Sequence, residues 1–317
     1  MFQNNTKVGN ISIYHMGFNK MIINRTARST LTPIEMFHGD TIKFTLSDSI
    51  ARIELLNTGA EVMETSLKKI GQEEPYGKTT YRFWGDFIIN GKETRLLREV
   101  GTQKSFYEPW VFNGLRLWFD AVDAIFEFMQ ETHGPCRLNP SFAHRLPPRK
   151  QARLVLQDVN SRICPEKLHP WCPLPEEGIK IENCYQGEDC WMGAFDGASA
   201  HGGLDLNHPK GTPLHTPFDL DNQFLARSVI DGAVNNSWRG FRRWDSGSDW
   251  VILSAHMSKL LIPEYTPLKK GTHYAEAAGI WVGTHEHSHF TFVVNDLGDT
   301  YHLDPWILFW QMYLDQI

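Results

Sequence analysis

The stretch His287-Ser288-His289-Phe290-Thr291-Phe292-Val293-Val294 indicates how the C-terminal half of this chain folds. It is rich in β-branched and aromatic residues, which favour strands. Side chains alternate between the two faces of a strand, so His287 and His289 lie on one face and Ser288 on the other. Two neighbouring imidazoles are suited to a metal site, because neutral histidine is the commonest metal ligand. The alternative is a polar strand edge with hydrogen-bonded histidines.

Alternating hydrophobicity also predicts strands nearer the N-terminus, at residues 42–46 and 115–119. Asn90-Gly91, between two such runs, is typical of a two-residue hairpin loop because these residues accept positive φ angles. A helix is predicted at Ala121–Met129. The fold class is therefore predicted to be mainly β, with a small antiparallel β domain first.

The chain has 317 residues, more than most single domains contain, so we expect two domains. We predict an N-terminal arm at 1–30, an antiparallel β domain at 31–133, a Pro-rich linker and wrapping segment at 134–179, and a second domain at 180–317. The apolar segment that starts at Trp306 is predicted to pack against that second domain.

Composition excludes several classes of protein. The chain is 41% hydrophobic and 21% charged, which argues against intrinsic disorder. With 31 basic and 37 acidic residues the net charge is -6, so we expect no nucleic-acid partner. The longest apolar runs are far shorter than the roughly 18 residues of a transmembrane segment. The 14 histidines are the unusual feature, and they direct attention to metal sites.

Two further stretches carry candidate ligands. His201-Gly202-Gly203-Leu204-Asp205 is followed by Gly211-Thr212-Pro213, and its two glycines predict an extended or turning chain. Positions i and i+4 of a strand share a face, so His201 and Asp205 can converge on one ion. The apolar run before His256 predicts a strand that ends at this histidine. Taken singly, each stretch also fits a surface turn or an ordinary buried histidine.

These stretches occur in a fixed order between His201 and His289, and this ordered set resembles the lysostaphin-type zinc metallopeptidases. The resemblance covers about residues 195–295. It implies a β-sheet zinc metallopeptidase domain whose Zn²⁺ is bound by His201, Asp205 and His289. It also implies that His256 and His287 lie beside the catalytic water, and that the substrate is the peptide part of bacterial peptidoglycan.

The same chemistry follows from the residue types. Two imidazoles and one carboxylate leave a tetrahedral zinc with an open position, as in catalytic zinc sites. A water bound there becomes acidic, and a neutral imidazole can accept its proton. Two alternatives remain open: a zinc hydrolase of another amide or ester, and a non-catalytic cell-wall binding or scaffold protein whose peptidase domain is vestigial.

The chain departs from the family pattern where His285-Glu286 replaces the usual Gly-Pro before the His-x-His motif. His285 is therefore either a substrate contact, an alternative ligand or a solvated residue. Aromatic and arginine side chains between Trp238 and Trp250 suggest either a groove that stacks sugars or binds an acidic peptide, or core packing beside a solvated basic loop.

The predicted location is outside the cytoplasm, periplasmic or secreted, although residues 1–30 show no signal peptide. The five cysteines leave two alternatives from composition alone: two disulfides with one free thiol, or five reduced thiols. A cell-wall substrate favours disulfides among Cys164, Cys172, Cys184 and Cys190. The sequence gives no information on protein partners.

Overall fold

A computed structural model describes most of the chain. The described residues are 20–65, 79–100, 108–125, 148–174, 194–195, 199–200, 202–227, 236–278 and 287–316.

Strands dominate the described residues, and a helix ends them. In chain order these elements are β1 (Ile22–Thr26), β2 (Thr32–Met36), β3 (Thr41–Thr45), β4 (Ile50–Thr65), β5 (Thr79–Ile89), β6 (Lys92–Val100), β7 (Trp110–Phe112), β8 (Leu115–Val122), β9 (Ala152–Asp158), β10 (Ala194–Phe195), β11 (Ser199–Ala200), β12 (Leu204–Asn207), β13 (Pro213–His215), β14 (Asn222–Arg227), β15 (Ser237–Asp245), β16 (Ser248–Ala255), β17 (Met257–Leu260), β18 (His273–Ala277), β19 (His287–Asp296), β20 (Asp299–Leu303) and α1 (Trp306–Leu314). The predicted mainly-β class is confirmed.

Two sheets form the N-terminal part of the structure. One has the strand order β1-β3-β4-β5-β6, in which β1 and β3 are parallel, and the other has the order β2-β9-β8-β7. The predicted hairpin is confirmed: Ile89 pairs with Lys92, and Asn90 and Gly91 have φ angles of 51° and 83°. These positive angles match the right-handed twist of the flanking strands.

The segment predicted as linker contains regular structure. β9 lies between β2 and β8 and is wholly buried. Its run of apolar residues is typical of a strand that is covered on both faces. The prolines on either side favoured the prediction of a linker, so this strand was not predicted. The helix predicted at Ala121–Met129 begins later than predicted: Ala121 and Val122 end β8, Ala124 and Ile125 are helical, and residues 126–147 lie outside the described residues.

The C-terminal part is built on a six-stranded sheet. Its path is β12-β19-β16-β15-β14, with β20 paired to β19. A smaller sheet, β13-β18-β17, lies beside it in sequence and space. The chain leaves β16 at Ala255 and enters β17 at Met257, so His256 is the single residue between the two sheets.

The helix α1 covers part of this core, as predicted for the apolar tail. Its residues 306–312 are buried, and Phe309 packs edge-on against Phe290 of β19 with ring centroids 5.2 Å apart. Trp171 of the Pro-rich segment lies against both rings. At nine residues α1 is too short to span a bilayer, and the described residues contain no longer apolar helix that would.

Buried ion pairs connect the N-terminal sheets with the chain before α1. Asp120 and Arg153 are both fully buried, and Nε of Arg153 donates to Oδ2 of Asp120 at 2.6 Å. The other oxygen of Asp120 accepts from the backbone N–H of Asp304, and Arg98 donates to the Asp304 carboxylate at 2.9 Å. Each of these buried charges therefore has an oppositely charged partner.

Candidate metal centre and catalytic site

The strands β12, β19 and β16 bring the candidate residues together. Asp205 of β12 lies directly opposite His289 of β19, and Ala255 at the end of β16 lies opposite His289 on the other side. Directly opposed residues of an antiparallel pair point to the same face. The predicted common face for His287 and His289 therefore also carries Asp205.

The Asp205 carboxylate lies between the two histidines. Its Oδ1 atom is 2.8 Å from Nδ1 of His289, and its Oδ2 atom is 3.3 Å from Nε2 of His287. Asp205 and His287 are buried, while His289 is partly exposed. His287 and His289 therefore both contact the carboxylate of Asp205.

His256 completes the described part of the site. Its ring centroid is 4.9 Å from that of His287 and 6.3 Å from that of His289. The backbone of His256 has a φ angle of 61°, a left-handed conformation that is uncommon for residues other than glycine. This conformation turns the chain from one sheet into the other at the position where the imidazole reaches His287.

Asn236 holds this turn. Its side-chain amide donates to the carbonyl of Met257 at 2.6 Å, and its Oδ1 atom accepts from the N–H of Met257 at 2.9 Å. The Asn236 carbonyl also accepts from the N–H of His256 at 3.4 Å, while Ala278 donates to the His256 carbonyl. A strained backbone persists where neighbouring contacts fix it, and these contacts do so here.

His289 is fixed from behind by small and polar neighbours. A Cβ at Gly203 would lie 2.5 Å from Cε1 and 2.6 Å from Nε2 of His289, so only glycine leaves room for the ring. Nε2 of His289 is 3.1 Å from Oγ1 of Thr291, and that hydroxyl donates to the carbonyl of Gly202. The ring therefore has a polar partner at each nitrogen.

These contacts test whether the donor set fits a metal. A hydroxyl has one proton, and Thr291 donates it to Gly202, an arrangement that favours hydrogen on Nε2 of His289. Nδ1 of His289 lies 2.8 Å from Oδ1 of Asp205, which is a hydrogen-bonding distance. A neutral imidazole nitrogen and a carboxylate oxygen are both zinc ligands, so the pair fits one side of a zinc site.

Other predicted positions lie beyond what the structure describes. His201, the third predicted zinc ligand, and His285 are both outside the described residues. Within the described residues, no group of three potential ligand side chains is arranged to hold a metal ion. The described site therefore contains two of the three predicted ligands, Asp205 and His289, and both predicted catalytic histidines.

Three residues of the site were missed by the sequence analysis. Asn236 and Thr291 act through contacts that depend on the tertiary fold, and a single sequence gives no signal for them. The third is His208, a buried residue just after β12, and burial together with nearby His287 lowers its pKa to about 4. Its place three residues after Asp205 was visible in the sequence, but the approach of His208 to His287 depends on the pairing of β12 with β19.

The aromatic residues near the site belong mainly to the core. Trp238 and Trp250 are fully buried, and Trp250 packs against Phe292 of β19. Trp244 packs on Trp250 and Phe218. Of the two interpretations for these residues, core packing is the one that the structure supports for the tryptophans.

Two of the cysteines differ from the disulfide prediction. Cys164 and Cys172 are free and buried, and burial raises the pKa of the Cys164 thiol to about 12 and that of Cys172 further above its usual range. The expected clamp through these two residues is therefore wrong. Cys136, Cys184 and Cys190 lie outside the described residues.

Comparison with known proteins finds matches among solved structures only. No protein-family model and no curated protein matches this chain. Matching solved structures include the catalytic domain of the antimicrobial peptidase lysostaphin from Staphylococcus simulans, which is 18% identical and covers 44% of this chain and 89% of that one, with a TM-score of 0.29.

Two other matches cover more of this chain. A Pseudomonas aeruginosa structure described as a peptidase M23 is 13% identical over 89% of this chain and 94% of its own, with a TM-score of 0.31. A zinc-containing peptidase from Vibrio cholerae is 11% identical over 80% of this chain and 84% of its own, with a TM-score of 0.29. The chain is thus similar to lysostaphin-type M23 peptidase structures, the group that its motifs resemble. At these TM-scores the case for function rests on the side chains of the chain itself.

Proposed function

We propose that this protein is a zinc-dependent endopeptidase that hydrolyses peptide bonds of bacterial peptidoglycan. The observation that carries the proposal is the contact between Asp205 and His289. Nδ1 of His289 and Oδ1 of Asp205 lie 2.8 Å apart there, and the Thr291–Gly202 contacts favour a proton on Nε2, at the far side of the imidazole. An imidazole nitrogen without a proton and a carboxylate oxygen are both ligands of zinc.

Zinc would be held by Asp205 and His289, with His201 as the third ligand proposed from the sequence. When bound, zinc acts as a Lewis acid that lowers the pKa of a water and polarises a carbonyl. The protein supplies the remaining groups. His287 is oriented by the second oxygen of Asp205, which is 3.3 Å from its Nε2 atom and favours a proton there. The Nδ1 atom of neutral His287 is then the nitrogen able to accept a proton.

His256 is the second group for proton transfer. Its ring is nearly perpendicular to that of His287, with an interplanar angle of 84° at 4.9 Å. Hydrolysis of an amide needs one group to take a proton from the attacking water and another to stabilise the oxyanion or protonate the leaving amine. Two adjacent imidazoles on separate strands can divide these roles.

The substrate is proposed from the resemblance of the motifs to the lysostaphin-type family. A cell-wall substrate places the protein outside the cytoplasm. The free, buried state of Cys164 and Cys172 is compatible with either location, because thiols sealed in a core are protected from exchange.

Elemental analysis and a digest of purified peptidoglycan peptides test the proposal together. We expect one zinc per chain, its loss in His201→Ala, Asp205→Asn and His289→Ala, and its retention in the control His38→Ala, which changes an exposed histidine on the β2–β3 turn. Protein without zinc, or with zinc retained in His289→Ala and lost in His285→Ala, would overturn the ligand set. Zinc binding without cleavage of the peptides, but with hydrolysis of another amide or ester, would overturn the substrate.

A further inference from the structure

Thr291 is a buried hydroxyl behind the site that the catalytic scheme does not use. It follows His289 by two residues on β19, so both side chains lie on the same face of the strand. Its Oγ1 atom is 3.1 Å from Nε2 of His289 and 3.3 Å from the carbonyl of Gly202. Thr291 is only 1% exposed, so water does not compete for these contacts.

We propose that Thr291 is a positioning residue that fixes the tautomer of His289 and thereby sets the affinity of the site for its metal. This inference rests on the proposed zinc site. A carbonyl oxygen only accepts hydrogen bonds, so the contact with Gly202 uses the single hydroxyl proton of Thr291. The hydroxyl then accepts from Nε2–H, which leaves the Nδ1 lone pair facing Asp205.

The same hydroxyl connects the two ligand-bearing segments. Gly202 directly follows His201 in the sequence, and His289 belongs to the strand opposite. Thr291 therefore contacts the imidazole of one ligand and the backbone beside another. Removal of Oγ1 frees the His289 ring to adopt the other tautomer, in which Nδ1 carries the proton and donates to Asp205. That tautomer cannot bind a metal through Nδ1.

The backbone at Gly203 lies close to the His289 ring, which leaves little room for another group to hold the ring in place. The space beside His289 at Gly203 is too small even for a methyl group, so a side chain at this position could not replace the hydroxyl. The carbonyl of Gly202 would also lose this partner.

The test compares metal affinity in three variants, measured by competition with a chelator. Thr291→Val keeps the shape of the side chain without the hydroxyl, and Thr291→Ser restores the hydroxyl. The matched control is Thr216→Val, because Thr216 is also fully buried and its hydroxyl donates to the Lys269 carbonyl at 2.6 Å, away from the site.

We expect zinc binding to weaken about 10- to 100-fold in Thr291→Val, the range found when a partner of a metal-bound histidine is removed. Thr291→Ser and Thr216→Val should stay within about threefold of the unchanged protein. Nitrogen chemical shifts of His289 in zinc-free protein provide a second readout, with Thr291→Val showing a larger share of the Nδ1–H tautomer.

Equal zinc affinity in Thr291→Val and the unchanged protein would overturn the inference, as would an equal loss in Thr216→Val. If Thr291→Val does not fold, Thr291→Ala is judged by the same two criteria. Absence of zinc binding by the unchanged protein is a different result, because it removes the proposed function itself.

Discussion

Two buried carboxylates, one in each half of the molecule, have opposite kinds of partner. Asp120 in the N-terminal sheets faces the guanidinium of Arg153, a group that is always charged. Asp205 in the C-terminal sheet faces two imidazoles, which are neutral unless protonated. Asp120 is therefore neutralised by the fold itself, whereas Asp205 lies between two groups that are neutral unless protonated. Under the proposed function, the difference separates a structural carboxylate from a metal ligand.

Exchange of each carboxylate for an amide gives the largest contrast. Asp205→Asn should remove the metal and lower the rate of hydrolysis by about 10³-fold or more, since the metal supplies several kcal/mol to the transition state. Its metal-free stability should change by less than about 1 kcal/mol. Asp120→Asn should leave the metal bound but lower the free energy of unfolding by about 3 kcal/mol, because it removes the carboxylate that accepts from Nε of the buried Arg153. Zinc content and urea unfolding of the metal-free protein are measured for both variants. If one variant were the more strongly affected in both assays, the contrast between the two carboxylates would be wrong.

Removal of the two proposed proton-transfer groups should have the next largest effect. His256→Ala and His287→Ala are expected to keep zinc and to lose about 10²- to 10⁴-fold in rate, the usual worth of a positioned acid or base. Rates on a purified muropeptide, beside zinc content, test this. A variant that loses zinc as readily as His289→Ala would show that its histidine is a ligand.

The C-terminal site was the more predictable of the two regions. Strand alternation placed His287 and His289 on one face, and the structure adds Asp205 by direct pairing of β12 with β19. Short-range rules also gave the hairpin at Asn90-Gly91. Such features depend on local geometry, so a single sequence carries them.

Features that depend on tertiary contacts were missed. β9 was read as linker because prolines flank it, although it becomes the buried centre of a sheet once β2 and β8 cover it. Asn236 is 20 residues before His256, and only the pairing of β15 with β16 brings its amide to the turn. Nothing in the spacing of these residues indicates such a contact.

Asn236 offers a test of how the fold, rather than the sequence motif, places a catalytic group. Asn236→Ala removes both contacts with Met257, so the turn at His256 should relax and the rate should fall by about 10²-fold, the cost of a small misplacement. Gln223→Ala is the control, because Gln223 is also a fully buried amide, bonded to Pro263 and Trp238. It should lower stability without this loss of rate.

A double variant distinguishes positioning from general destabilisation. If Asn236 acts through His256, adding Asn236→Ala to His256→Ala should cost no further rate. Additive losses would mean that Asn236 supports the site by another route.

The smallest expected effect is a dependence of stability on pH at a second group of histidines, outside the site. His169 of the Pro-rich segment, His215 of β13 and His273 of β18 form a row with ring centroids 5.3 Å and 5.1 Å apart. Burial lowers the pKa of His169 and His215 from 6.5; Lys270 lowers that of His169 further, and the neighbouring histidines lower that of His215. A lowered pKa means that the folded state disfavours the proton. The contribution is therefore fully present above about pH 6.5 and is lost as the pH falls below that value.

Because these rings are partly exposed and solvent screens their charges, the loss should be well under about 1 kcal/mol. This loss of stability should be located where the Pro-rich segment contacts β13. There the backbone N–H of His169 donates to the Pro217 carbonyl, and the backbone N–H of His215 donates to the Trp171 carbonyl. Urea unfolding at pH 7.5 and pH 5.5 should show a smaller difference in His215→Gln than in the unchanged protein. Hydrogen exchange at pH 5.5 should increase first at the N–H groups of His169 and His215. A difference that His215→Gln leaves unchanged would assign the pH dependence to other groups, such as buried His208, whose pKa of about 4 acts in the same direction at lower pH.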